Sequence, residues 1–168
     1  MHKLTALVKH IFDVTGLPEE QLYAFADNGH LYPIGRDRGP LRPEPGEGGE
    51  PLRQVELGLF RYDGVIQIER YPGDGASFAA IVTSWLMEND PDRDGLADSS
   101  LDIELNMRGG DADLEIAIEF EERLTAVEDE NGDIPYDGKR WRMAETIITP
   151  ARELAALRAV NKGAKKKP

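Results

Sequence analysis

Two stretches of strict alternation constrain this chain most. Leu101-Asp102-Ile103-Glu104-Leu105-Asn106-Met107 and Leu114-Glu115-Ile116-Ala117-Ile118-Glu119-Phe120 both put an apolar side chain at every second position. Successive side chains of a strand point to opposite faces, so the pattern specifies two half-buried strands. Arg108-Gly109-Gly110-Asp111 between them reads as a turn. The polar side of the second stretch is acidic, and that face should meet water or a basic partner.

The rest of the chain fills in around this pair. Leu4, Leu7, Val8, Ile11 and Phe12 have helical spacing over Leu4–Val14, and Thr15-Gly16-Leu17-Pro18 stops that helix. A strand at Leu22–Ala26 is expected to turn at Asp27-Asn28-Gly29 and return through His30–Ile34, because Asn-Gly tolerates the positive φ of a hairpin turn. Pro33 would put the returning strand on a sheet edge. Gly35 to Pro51 is rich in Gly, Pro and charge, and reads as a long exposed loop. Leu52–Tyr62 and Val65–Tyr71 read as two more strands joined at Asp63-Gly64.

Ala76–Met87 is the clearest helix. Phe78, Ile81, Val82, Trp85 and Leu86 form one stripe, and Asp74 or Ser77 is its expected cap. An acidic loop follows over Asn89–Ser100. Glu122–Val127 reads as a further short strand closing at Glu130-Asn131-Gly132-Asp133, and another strand is expected around Trp141-Arg142-Met143. Thr149-Pro150 opens a last helix with Leu154, Leu157 and Val160 on one ridge, followed by a loose basic end at Lys165-Lys166-Lys167. The order of elements implies an α+β fold: a largely antiparallel sheet with two or three packing helices. One domain is expected over 1–148, with the loop 35–51 exposed, followed by a C-terminal helix and a basic flexible end over 149–168.

Composition removes several function classes. There is no cysteine, so a disulfide framework, a zinc–cysteine site and a thiol nucleophile are excluded. The first residues lack the apolar core of a signal peptide, and Phe78–Met87 is too short to span a bilayer. No membrane association is expected, and synthesis and assembly in a cytoplasm are. Net charge is −12, unevenly spread. Lys139 to Pro168 holds nine basic and two acidic residues, a net of +7, so the preceding residues carry −19. Such a body repels nucleic acid, whereas the basic end could touch phosphate or an acidic protein.

Few residues suggest chemistry. Asp90, Asp92, Asp94 and Asp98, with Gly95, match positions one, three, five, nine and six of a calcium loop. The twelfth position is Leu101 rather than Glu, and the flanking elements are a helix and a strand, so a solvated helix exit is the plainer reading. His2, His10 and His30 lack metal-ligand spacing. Ser77, Ser84, Ser99 and Ser100 lack a nucleophile context. Glu115, Glu119 and Glu121 resemble paired carboxylates, but alternate strand positions make them a solvent or interface face. No catalytic residue, cofactor site or metal site is expected, and the chain reads as a non-enzyme.

Several short runs in order carry a resemblance. They are Leu22–Gly29, Phe60-Arg61-Tyr62, Val65–Ile68, Ile81–Leu86, Asn89-Asp90-Pro91-Asp92, Ile103-Glu104, Asp113–Ile116, Glu122–Val127 and Glu130–Ile134. Their joint order and spacing resemble the tail completion protein R family of P2-like contractile-tailed phages. The resemblance implies a tail-terminator-like fold and a virion protein of the tail or neck. It implies a homo-oligomeric ring, often six-fold, at the head-proximal end of the tail. Its implied partners are the tail tube, the sheath and the head–tail connector, with DNA at most passing through the lumen. Other neck, head–tail joining or sheath-associated parts are the alternative. A calcium-binding module is a third reading from a different class. The resemblance supplies no catalytic residues.

Overall fold

The computed structural model describes residues 1–41, 51–96, 100–108 and 111–144. The expected C-terminal helix and basic end lie outside the described residues, as do residues 42–50, 97–99 and 109–110. Helix α1 spans His2–Thr15 and α2 spans Gly75–Asn89. The strands are β1 (Leu22–Leu41), β2 (Leu52–Tyr71), β3 (Leu101–Arg108), β4 (Asp111–Glu128), β5 (Ile134–Tyr136) and β6 (Lys139–Met143). The sheet order is β1-β2-β4-β6-β5, with β3 pairing β4 off that path. The α+β, largely antiparallel expectation holds. Among the described residues no helix is long and apolar enough to cross a membrane.

β3 and β4 pair antiparallel from Leu101↔Ile118 to Arg108↔Asp111, which is the hairpin that the alternation specifies. β6 pairs antiparallel with both β4 and β5. Side-chain contacts give the sense of the other two pairs. Asn28 meets Asp63 and Asp37 meets Arg53, so numbering rises on β1 as it falls on β2. Arg61 meets Glu121, while Gln67 meets Glu115, so β2 and β4 are also antiparallel.

Two expected hairpin turns are absent. Asn28-Gly29 lies inside the 20-residue strand β1, and Asp63-Gly64 lies inside the 20-residue strand β2. Their glycines serve close approach instead. A Cβ on Gly64 would lie 2.8 Å from Phe120 Cε2 and 3.1 Å from Leu4 Cδ1, and one on Gly29 would lie 3.1 Å from Phe60 Cε2. Asn28 does adopt positive φ, at 48°, but as an irregularity within the strand. β1 also runs on through Gly35 to Leu41, so this part of the expected loop is strand. Likewise Glu122–Val127 is not a separate strand but the end of β4.

The chain forms two compact units. The described part of the first comprises Met1–Asn28 and Tyr62–Phe120. Its core joins Leu4, Leu7 and Ile11 of α1 to Phe78, Val82 and Trp85 of α2, and to Tyr62, Ile66, Ile116 and Phe120 of the strands. Tyr62 packs on Phe120 with ring centroids 5.6 Å apart, and Tyr71 meets Phe78 edge-on at 5.2 Å. Gly16, at φ 65°, ends α1 in the left-handed conformation that glycine adopts without a Cβ penalty. Asp74 caps α2 by accepting from the Ser77 backbone N–H at 2.9 Å.

The described part of the second unit comprises residues 29–41, 51–61 and 121–144. Val55, Ala126 and Trp141 form its core, with Leu57 and Ile134 against them. Trp141 donates its indole N–H to the Tyr136 carbonyl at 2.8 Å. Asp137 and Gly138, at φ 51° and 70°, connect β5 to β6 across the pair Tyr136↔Lys139. Here an Asp-Gly does form a two-residue hairpin.

Candidate functional site

The longest strand of the sheet edge is β1, which has β2 on one side and no strand on the other among the described residues. Pro33 lies on it, consistent with an edge position. Most of its side chains are exposed, and many are large and apolar. In the first unit these are Tyr23, 58% exposed, and Phe25. In the second they are Leu31, also 58% exposed, Tyr32 and Ile34. Arg61 stacks over the Tyr32 ring, 5.6 Å from its centroid. An exposed apolar edge strand is a template for another chain.

The second unit also holds a buried carboxylate. Glu56 on β2 has no exposed surface. Its Oε1 accepts from Arg123 Nη1 of β4 at 2.8 Å, and its Oε2 lies 3.5 Å from Arg38 Nη1 of β1. Burying an unpaired carboxylate is costly, and these two guanidiniums offset that cost for Glu56 within the sheet. Nearby, Asp37 accepts from the Gly39 backbone N–H and from Arg53, both at 2.9 Å or less. These bonds hold its carboxyl below the ordinary range, with the Gly39 bond the larger cause. Glu121 pairs with Arg61 at 2.7 Å.

The acidic strand face predicted from the alternation is present in the first unit. Asp102 and Glu104 of β3 and Glu115 of β4 are exposed, and Glu104 pairs directly with Glu115 in the register. Gln67 Nε2 donates to Glu115 Oε2 at 2.7 Å. Of the glycosidase-like trio, Glu115 engages Gln67 in the first unit and Glu121 engages Arg61 in the second.

The calcium-loop resemblance meets a different arrangement. Asp90 is buried, and its Oδ1 accepts from Lys3 Nζ of α1 at 2.6 Å. Arg93 Nη1 stands 3.6 Å from Asp90 Oδ2 and donates to the Glu119 carbonyl at 2.7 Å. The first supposed ligand therefore anchors the helix exit to α1 and β4. Asp98 lies outside the described residues, and the described residues hold no group of three or more side chains able to ligate a metal. His2 and His10 sit on α1 and His30 on β1. Ser77 is engaged by Asp74, and Trp85 is core.

The residues that sequence reasoning missed are Glu56, Arg38 and Arg123. Their signal was the alternation of β2, in which Glu56 shares its phase with the buried Tyr62, Ile66 and Ile68. A turn placed at Asp63-Gly64 hides that phase.

Comparison with known proteins adds a separate line. The family model described as P2 phage tail completion protein R (GpR) matches residues 1–146. An uncharacterized 19.2 kDa protein in the rep-hol intergenic region of Haemophilus phage HP1 (strain HP1c1) is 31% identical over 150 residues. That match covers 85% of this chain and 83% of the phage protein. No solved structure matches the chain.

Proposed function

The chain belongs to the P2 phage tail completion protein R family, a family of structural tail components, and from that membership we propose that it closes into a ring on the head-proximal end of the tail. The ring, six-fold in this reading, stops growth of the tail tube and presents a surface to the head connector. It is assembled in the host cytoplasm and stays in the virion without catalysing a reaction.

One observation carries the reading beyond the family: strand β1 has no strand on its outer side among the described residues, and leaves Tyr23 and Phe25 exposed in the first unit and Leu31, Tyr32 and Ile34 exposed in the second. Such an edge is an aggregation hazard unless another chain covers it. A contact between two different surfaces of identical subunits closes into a ring when the rotation per subunit is right, and forms a filament otherwise. A terminator needs a closed ring that binds the tube end and does not offer the same contact again.

Negative-stain electron microscopy of the purified chain, alone and with tail tubes, tests this alongside mass from light scattering. Closed rings, or caps at one tube end, are expected. Decoration of the tube sides or of the portal would favour a sheath-associated or head–tail joining part. A monomer that leaves tubes bare at both ends would sink the proposal.

A further inference from the structure

The pairing around Glu56 leaves unused charge. Two guanidiniums serve one carboxylate, so the cluster carries a net +1. Glu56 Oε2 accepts no hydrogen bond. Yet the Arg123 and Arg38 side chains remain 54% and 42% exposed. A guanidinium has five N–H donors in a rigid fork, and one of these ten, on Arg123, hydrogen-bonds Glu56. The buried carboxylate holds Arg123 by a hydrogen bond and attracts Arg38 from 3.5 Å, so part of the ordering cost of binding is met within the subunit. The result is a preorganised receptor for a carboxylate.

The first unit carries the complementary group. Glu104 and Glu115 lie directly opposite each other in the β3–β4 register, and both are exposed. Like charges in that relationship repel. The neighbour that Glu115 engages, Gln67, is neutral, and no described cation forms an ion pair with either carboxylate. A cation from outside would relieve this repulsion.

Resting on the ring reading above, we infer that the Arg38–Arg123 pair of one copy receives the Glu104–Glu115 pair of the next. The two surfaces differ, so the contact is head-to-tail and can close into a ring. Charge selects a second copy over nucleic acid as the occupant. The chain bears −12 overall, which opposes a polyanion, and it displays the matching carboxylates itself.

The test compares the full chain with Glu115→Lys, Glu115→Gln, Arg123→Gln and the double glutamine variant. Light scattering gives the concentration for half-assembly, and microscopy counts caps on tail tubes. Glu115→Lys should raise that concentration by about tenfold or more and strip tubes of caps. Its subunit should melt no lower than wild type, because a repulsion has been removed. Each single glutamine variant should cost about tenfold, and the double no more than either alone, since both remove one contact. Glu115→Lys assembling at the wild-type concentration, or a double variant whose losses multiply, would overturn the inference while leaving the ring reading intact. A wild-type chain that neither assembles nor caps tubes would remove both. Assembly lost in Arg123→Gln but kept in Glu115→Lys would give the arginine pair another occupant and overturn the inference too.

Discussion

Asn28 donates from Nδ2 to Asp63 Oδ2 at 2.8 Å, so the two Asx-Gly dipeptides that read as turns face each other across paired strands. Each ends in a glycine whose missing side chain makes room for an aromatic ring from elsewhere in the sheet.

Gly64 is the tighter of the two. Its added methyl would meet the Phe120 ring at 2.8 Å and Leu4 at 3.1 Å, both in the core of the first unit. Neither neighbour is the loose end of a surface side chain. Gly64→Ala should therefore destabilise the protein by about 1–3 kcal/mol. Gly138→Ala meets no atom but must hold φ 70°, so it tests backbone strain without overpacking. Urea denaturation of both variants checks this. An unchanged midpoint for Gly64→Ala would mean that α1 and β4 yield freely.

Arg123 and Arg38 should contribute unequally to stability. Arg123 makes a 2.8 Å hydrogen bond to Glu56, whereas Arg38 stands at 3.5 Å. Removing Arg123 leaves a buried carboxylate half-compensated and should cost about 3 kcal/mol, with Arg38→Ala costing less. Glu56→Met should be milder than Arg123→Ala, because both stranded arginines already reach water. Thermal unfolding ranks the three. Arg38→Ala as the most damaging would reverse the assignment.

Stability should depend on the Asp74 cap in a pH-dependent way. The bond from the Ser77 backbone N–H, then that from its hydroxyl, holds the Asp74 carboxyl below its ordinary value of 3.8. A depressed folded value means that the unfolded chain binds the proton more readily. The contribution is complete above the unfolded value and is lost as pH falls through the folded one. Asp74→Asn retains an acceptor for the cap but not the charge. The stability gap between wild type and Asp74→Asn should be steady near neutrality and shrink in acid. A gap that widens in acid would contradict the cap assignment.

Calcium and chelators should leave melting unchanged. Asp90 is occupied by Lys3 at 2.6 Å and sits beside Arg93, which puts two cations where a divalent ion would have to enter. Lys3→Met should lower the melting temperature, since it strips a buried carboxylate of its nearest cation. A calcium-induced rise in melting temperature of the wild type would restore the calcium reading.

What could be read in the sequence was local. The strict alternation of 101–107 and 114–120 yielded the β3–β4 hairpin, because period-two burial has few other solutions. Apolar stripes and breakers yielded both helices, and Asp74 was one of the two expected caps. The acidic strand face followed from the same alternation. The strand lengths did not. Asn-Gly and Asp-Gly permit a turn without requiring one, and the choice at 28–29 and 63–64 depends on Phe60, Phe120 and Leu4, which reach these sites only after folding. The same holds for Glu56. The phase of β2 puts Glu56 with the buried residues, but nothing in that phase says which cations meet it there. Only the pairing of β1, β2 and β4 brings Arg38 and Arg123, far away in the chain, to its carboxylate. Periodicity was determined residue by residue, while close approach and charge compensation, which act between distant segments, were decided by the tertiary structure.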